Sequence, residues 1–211
     1  MTPAEGVREI LAEAQRLGFI GGPDLGPHLH HAEAFSAVVE RLGVPSAALD
    51  LGSGGGLPGL VLADRWPTCS WWLVDASQRR TAFLTRAIVR LGWTGRVQVR
   101  RGRAEELARD PHLRAAMDLV TARGFGRPAV TAECAAGFLR AGGHLVVSEP
   151  PPDRAGSDRW PADGLAPLGL EVVEAEGLAS AGAQLRVLRQ TGACPDRYPR
   201  RVGVPAKRPL F

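Results

Sequence analysis

Lysine is almost missing from this chain: Lys207 is the only one, so 25 of its 26 basic side chains are arginine. A genome-wide composition bias produces such a ratio, and so does selection for planar forks that grip phosphate bidentately. Where the charges cluster decides between them. The net charge of +4 and an isoelectric point near 9.6 give a modest positive field, compatible with a nucleic-acid partner without requiring one. No apolar run approaches the roughly 20 residues that cross a bilayer, which excludes a spanning helix. Cysteine is scarce and odd in number, with Cys69, Cys134 and Cys194 far apart. Neither a disulfide framework nor a metal-ligand pair follows from that spacing, and a reducing cytosol suits it. The opening stretch MTPAEGVREILAEAQRLG is amphipathic and charged, unlike a signal peptide. These absences predict a cytoplasmic protein, with no membrane partner and no metal; a monomer is expected. Internal repeats and low-complexity tracts are also missing.

What is present reads as a single globular domain with short additions. The chain has 211 residues, 45% hydrophobic and 23% charged, ample for a buried core. Val7, Ile10, Leu11, Ala14 and Leu17 recur at helical spacing over residues 3–17. The glycine- and proline-rich stretch 18–27 breaks that helix, and a second helix is expected over 28–42, stopped by Gly43 and Pro45. From there short apolar runs (47–51, 70–74, 97–100, 117–121, 143–147) alternate with helical segments (57–65, 79–91, 104–108, 128–139). Such alternation specifies a parallel sheet covered by helices on both faces. A loop is expected from 149 to 161. Two more strands, 170–176 and 184–189, have only the short link 177–183 between them, which favours an antiparallel hairpin over a crossover. The expected fold is α/β: a Rossmann-like seven-stranded sheet with its last strand antiparallel, the plan of class I S-adenosylmethionine-dependent methyltransferases. Residues 1–43 would form an N-terminal helical cap, 44–191 the core and 192–211 a basic C-terminal tail.

The turn after the first expected strand carries the chemistry. Asp50 ends that strand, and Gly52, Gly54, Gly56 and Gly59 follow, with Pro58 suited to a first helical turn. Glycine there permits positive φ and close approach of backbone to ligand. Gly54 to Gly59 also satisfies the dinucleotide pattern G-x-G-x-x-G, so the glycines alone do not name a ligand. Asp50 in front of them would repel a pyrophosphate and suits a cationic methionine moiety. Asp75 closes the next strand, where a carboxylate can accept both ribose hydroxyls, a feature dehydrogenases share. Ala104 and Glu105 follow the third strand, beside the place of an adenine ring. The cofactor candidates are Asp50, Gly52, Ser53, Gly54, Gly56, Leu57, Asp75, Ala76, Ala104, Glu105 and Arg123, with S-adenosyl-L-methionine as the group bound.

The runs LDLGSGGGLPGLVLADRWP, LVDASQRRTAFL, RGRAEEL and MDLVTARGF, followed by the tail RYPRRVGVPAKRPLF, resemble consecutive motifs of one family. It is the bacterial 16S ribosomal RNA guanine-N7 methyltransferase family, also called glucose-inhibited division protein B, and the resemblance covers about residues 45–211. It implies methyl transfer from S-adenosylmethionine to N7 of a guanine in 16S rRNA, with that RNA or the small ribosomal subunit as partner. Gly52, Gly54, Gly56, Asp75 and the backbone at Ala104 and Glu105 would hold the cofactor. Arg123 falls where the family's S-R-A motif faces the methyl group and is the catalytic candidate. Three places depart from the family, the first being a missing Asn-Leu-Thr segment in a shortened N-terminal helical region. The His-x-x-Asp-Ser-like stretch reads His30-His31-Ala32-Glu33-Ala34-Phe35-Ser36, and a Lys-Gly after the fifth strand is replaced by Glu149-Pro150. An acidic residue at an RNA-facing rim would weaken phosphate binding.

The chemistry implied asks little of the side chains. N7 of neutral guanine has a free lone pair, so no general base is needed and placement dominates. Arg123 could donate to guanine O6 or to a phosphate; a structural ion pair at the strand end is its other reading. Cytosine C5 chemistry needs a thiolate, whereas Cys134 lies within an expected helix as a buried structural cysteine. His30 and His31 read as helix-surface residues, and at least one of Trp71 and Trp72 packs in the core. Arg197, Arg200, Arg201, Lys207 and Arg208, with Tyr198 among them, form an expected extended basic strip for RNA backbone; four prolines argue against regular structure there. A diverged methyltransferase for another RNA or a small molecule, and a non-enzymatic cofactor- and RNA-binding protein, are the alternatives.

Overall fold

The structure, a computed structural model, describes residues 4–150, 159–173 and 184–211. Two helices, α1 (Glu5–Arg16) and α2 (Gly26–Leu42), precede the alternating core. That core runs β1 (Ala47–Leu51), α3 (Gly59–Arg65), β2 (Ser70–Asp75), α4 (Gln78–Arg90), β3 (Val97–Arg101), α5 (Ala104–Leu107), β4 (Met117–Ala122), α6 (Pro128–Ala136) and β5 (Leu139–Glu149). A single-turn α7 (Ala162–Leu165) and a 3-10 turn (Ala166–Leu168) lead to β6 (Leu170–Val172), β7 (Gln184–Gln190) and the single-turn α8 (Val204–Lys207).

Alternation of side chains explains why these strands lie between two helical layers. Successive residues of a strand face opposite sides. Ala48, Leu73, Leu119, Val146 and Val187 join one apolar cluster, while Leu49, Val74, Val120, Leu145 and Leu188 join the other. Both neighbours are therefore apolar, as a sheet covered twice requires. The strand order is β3-β2-β1-β4-β5-β7-β6. The pairs from β3 to β5 are parallel, and β7 runs antiparallel to both β5 and β6, as expected of the closing hairpin. Strand order reverses between β1 and β4. That opens a crevice at their carboxyl ends, the usual ligand site of open α/β sheets.

Several boundaries differ from the sequence expectations for identifiable reasons. The helix expected over 128–139 ends at Ala136, because Leu139 pairs with Met117 and starts β5 early. The register then shifts, so that Leu119 faces His144. The loop expected from 149 to 161 begins instead as the end of β5 and is followed by α7. Its residues 151–158 lie outside the described residues, as do 174–176 of the expected sixth strand and its link 177–183.

The N-terminal helices share the sheet's core. Val7, Ile10, Leu11 and Ala14 of α1 and Leu29, Ala32, Phe35, Val38 and Val39 of α2 belong to the same cluster as Leu73 and Leu119. Leu17, counted with that apolar face, is 42% exposed at the end of α1.

The C-terminal segment is docked, with one helical turn, where an extended strip was expected. Pro205 does not prevent α8, because in a first turn its missing N–H has no partner to lose. Glu133 of α6 is fully buried. Its carboxylate accepts from the Arg200 backbone N–H at 2.7 Å and from Nε and Nη2 of the same arginine at 2.9 and 2.6 Å. Gly203 N–H donates to the buried Glu105 carboxylate at 3.0 Å. Arg109 donates to the Pro199 carbonyl, and Arg114 to those of Cys194 and Tyr198. Removing one member of a buried ion pair strands the other charge, at a cost of about 3 kcal/mol or more. Arg200→Ala is therefore expected to lower the unfolding free energy by about that amount, read from the shift of the urea midpoint multiplied by the m-value. Exposed Arg201→Ala is expected to stay within about 0.5 kcal/mol of the parent.

Candidate active site

The crevice is organised around Asp50, the penultimate residue of β1, whose side chain is 1% exposed. Parallel pairing sets Asp50 beside Thr121 of β4, and the threonine hydroxyl donates to its Oδ1 at 2.8 Å. Gly59 N–H, at the start of α3, donates to Oδ2 at 3.2 Å. The Ser53 hydroxyl donates to the Asp50 carbonyl oxygen at 2.8 Å. Burial pushes the Asp50 carboxyl up to about 6, against the lowering pull of Thr121, Ser53, Gly59 and Arg123.

Two glycines of this turn are required by geometry. Gly52 has φ +73°, and a Cβ there would lie 2.8 Å from the Phe125 ring. At Gly59 a Cβ would lie 2.6 Å from Asp50 Oδ2 and 2.7 Å from Leu73. Gly52 and Ser53 N–H groups donate to the Val74 carbonyl at 2.8 and 2.9 Å, tying the turn to β2. Asp75, at the end of β2, completes the tie. Its Oδ2 accepts from Gly54 N–H at 3.0 Å and its Oδ1 from Ser77 N–H at 2.8 Å, while Arg80 Nη1 stands 3.6 Å away. Each carboxylate oxygen has a second lone pair left for a ligand.

Two cavities meet over this turn. The larger, about 400 Å³, is lined by Asp75, Ala76, Gly102, Ala104, Glu105 and Phe125, with Ala206 of α8 forming part of its wall. The smaller, about 240 Å³, is lined by Phe19, Gly21, His28, Gly54, Leu57 and Arg123. Gly52, Arg80 and Gly124 border both. Expected cofactor residues thus fall on both cavities, and Asp50 lies beneath the turn that separates them. An acidic strand end, residues 102–105 lining the larger cavity and a glycine turn without Cβ atoms fit an adenosine with a cationic tail. Among the described residues no group of three or more His, Cys, Asp or Glu is placed to hold a metal ion.

Arg123, one residue past β4, is half-buried and borders the smaller cavity. Its Nη2 meets Nδ1 of His28. Burial draws its guanidinium below the ordinary arginine range, while the charge of Asp50 opposes that shift. His31 is not the surface residue expected. It packs against Phe35 with ring centroids 5.6 Å apart, and burial, then Arg123, His28 and His30, push it down to about 4. Cys134 is buried, and burial raises its thiol well above the ordinary range, which leaves it no thiolate. Trp71 is fully buried in the core.

The expected RNA-facing arginines divide. Arg197 lies over the Tyr198 ring at 5.1 Å, and Arg201, Lys207 and Arg208 are exposed, but Arg200 is spent on Glu133. The unexpected acid Glu149 is paired with Arg159 at 2.8 Å and accepts from the Trp160 indole at 3.1 Å, so its charge is offset. Sequence reasoning passed over Thr121, His28, Arg80 and Ala206. Only Thr121 had a usable signal, since it stands beside Asp50 once β1 and β4 are aligned in parallel.

The family described as rRNA small subunit methyltransferase G matches residues 28–149. The ribosomal RNA small subunit methyltransferase G of Prochlorococcus marinus MIT 9313 is 40% identical over 171 residues, 79% of this chain and 68% of that protein. Its namesake from Dehalococcoides mccartyi CBDB1 is 34% identical over 187 residues, 86% of this chain and 78% of that protein. Among solved structures, an O-methyltransferase candidate from Klebsiella pneumoniae superposes with a TM-score of 0.60 at 17% identity, covering 90% of this chain and 91% of that one. An O-methyltransferase family protein from Burkholderia thailandensis gives 0.56 at 16% identity, covering 76% and 56%. At those identities the superpositions speak for the fold alone.

Because the Gly59 contact is fixed on the Asp50 and Leu73 sides, Gly59→Ala is expected to destabilise by about 1–3 kcal/mol through overpacking. Thermal unfolding measures it, and an unchanged midpoint would mean that the turn has slack.

Proposed function

Since the chain belongs to the rRNA small subunit methyltransferase G family, we propose that it transfers a methyl group from S-adenosyl-L-methionine to N7 of a guanine in 16S rRNA. The single observation that carries the reading is the pair of cavities joined over the Asp50–Gly59 turn, one walled by Asp75 and Ala104, the other by Arg123. When bound, the donor supplies a methyl carbon made electrophilic by its sulfonium.

The chain's residues bind and orient. Asp75 accepts from ribose hydroxyls with the lone pairs its loop partners leave free. The backbone at residues 102–105 and Phe125 enclose the adenine, and Ala206 closes the far side. Asp50, Ser53, Gly54 and Leu57 shape and polarise the place of the methionine moiety, where buried negative charge favours a cation. Arg123 donates to guanine O6 or to a neighbouring phosphate, holding N7 in line. No side chain has to remove a proton, because N7 of neutral guanine carries a free lone pair. Arg197, Arg201, Lys207 and Arg208 contact the RNA backbone, and Arg200 supports them by fixing the segment to Glu133.

The deciding experiment incubates the protein with labelled donor and unmodified 30S particles or naked 16S rRNA and maps the product. Label on guanine N7 is expected. Donor binding without label in either RNA would overturn the reading in favour of another acceptor. Arg123→Ala is expected to lower kcat about 100-fold while leaving the donor Kd nearly unchanged. Replacing Arg201, Lys207 and Arg208 together by alanine is expected to reduce the salt slope of RNA binding by about two to three.

Asp50 sets the pH behaviour. Its folded value of about 6 stands above its ordinary value of 3.8. It therefore contributes stability that is present below 3.8 and lost as pH rises through about 6. Donor affinity runs the other way, because the ionised carboxylate favours the cation. Calorimetric titration is expected to show affinity falling by up to about tenfold per pH unit below 6.

A further inference from the structure

His28 stands in the first turn of α2 and touches two other parts of the crevice. One ring nitrogen, Nε2, lies 2.7 Å from the Gly21 carbonyl oxygen, and Nδ1 meets Nη2 of Arg123. A guanidinium can only donate. Nδ1 is therefore the acceptor, the ring proton sits on Nε2, and Nε2–H donates to Gly21. Both nitrogens are used, and the two contacts together select one tautomer. We propose that His28 is a positioning residue that sets Arg123 against the acceptor cavity, using the Gly21 carbonyl as its backstop. The proposal rests on the crevice being the methyl-transfer site.

The surroundings leave Arg123 dependent on this contact. Asp50, which accepts from Thr121 and Gly59, attracts its charge, but the hydrogen bond that orients the guanidinium is the one to His28. His31, one turn along α2, is held neutral by burial and its neighbours, and its Nε2 is buried without a protein partner. Arg80 borders the cavity from α4 and carries the same sign as Arg123. His30 points outward near Glu33, and Asp24 accepts from the Gly26 N–H. His28 is thus the hydrogen-bond acceptor that touches the Arg123 guanidinium where both line the smaller cavity. A second proton on its ring would remove that acceptor and set a cation against Arg123. Gly21, Phe19 and Ile20 line the same cavity, so the stretch that fixes His28 also forms the cavity wall.

The test uses the whole chain and two variants. His28→Leu removes both hydrogen bonds. His28→Gln keeps an amide acceptor beside a donor and cannot gain a proton. With RNA as acceptor, His28→Leu is expected to lower kcat about tenfold or more, with donor Kd and RNA KM within about threefold of the parent. His28→Gln is expected to recover most of that loss and to show a shallower acid limb in its pH–rate profile, the remaining limb belonging to Asp50. Ring nitrogen NMR of the parent is expected to report the Nε2–H tautomer for His28. A kcat for His28→Leu within about twofold of the parent, equal losses in the two variants, or an Nδ1–H tautomer would each overturn the proposal. If the parent transfers no methyl group to RNA, the proposed function fails, and the tautomer still decides whether His28 holds Arg123.

Discussion

A buried carboxylate with too few donors would be expelled or neutralised, and the crevice depends on Asp50 being neither. It accepts from Thr121 on β4 and from Gly59 on α3, while its own carbonyl oxygen accepts from Ser53. One residue, through its carboxylate and its main-chain carbonyl, thereby joins the central strand, its neighbour across the topological switch, and both ends of the glycine turn. The glycine at position 59 exists for this contact, since any Cβ there would occupy the space of the carboxylate. The same burial that makes Asp50 an anchor raises its proton affinity. The anchor of the turn is thus also a group that responds to pH.

Around that centre the site is assembled from distant parts of the chain. Residues 19–21, His28 and Arg123 wall the smaller cavity, and residues 74–76, 102–105 and Ala206 wall the larger. The central motifs suffice to recognise the fold. The helices before the sheet and the segment after it give the cavities their outer faces, and both are held by buried groups. Apolar packing with the sheet holds α1 and α2. Two carboxylates beneath the C-terminal segment, Glu133 and Glu105, hold the other.

The sheet was readable because every central strand is apolar at both alternating positions and each ends in a recognisable turn. Asp50 and Asp75 were readable because the end of a parallel strand is where such sheets place ligands. The docking of Arg200 was not. Nothing local distinguishes an arginine that will meet a buried glutamate 67 residues away from one that faces solvent. His28 was missed for the same reason, since its contact with Arg123 spans 95 residues and no periodicity encodes it. His31 was misjudged because helical spacing says which face a residue occupies, without saying how deeply its ring is buried there. The prolines of the C-terminal stretch argued correctly against a long helix and missed a single turn, which proline tolerates in first position.

The placement of Ala206 in the cavity wall has a consequence for how the protein comes into being. Chains are made from the N-terminus, and domains fold as they emerge. The sheet, the glycine turn and Asp75 all precede residues 198–206 in the chain. Until those residues reach Glu133 and Glu105, the larger cavity lacks one side. A chain interrupted within its last stretch would fold around an open cleft, so ligand capture itself would report whether synthesis had run past residue 206.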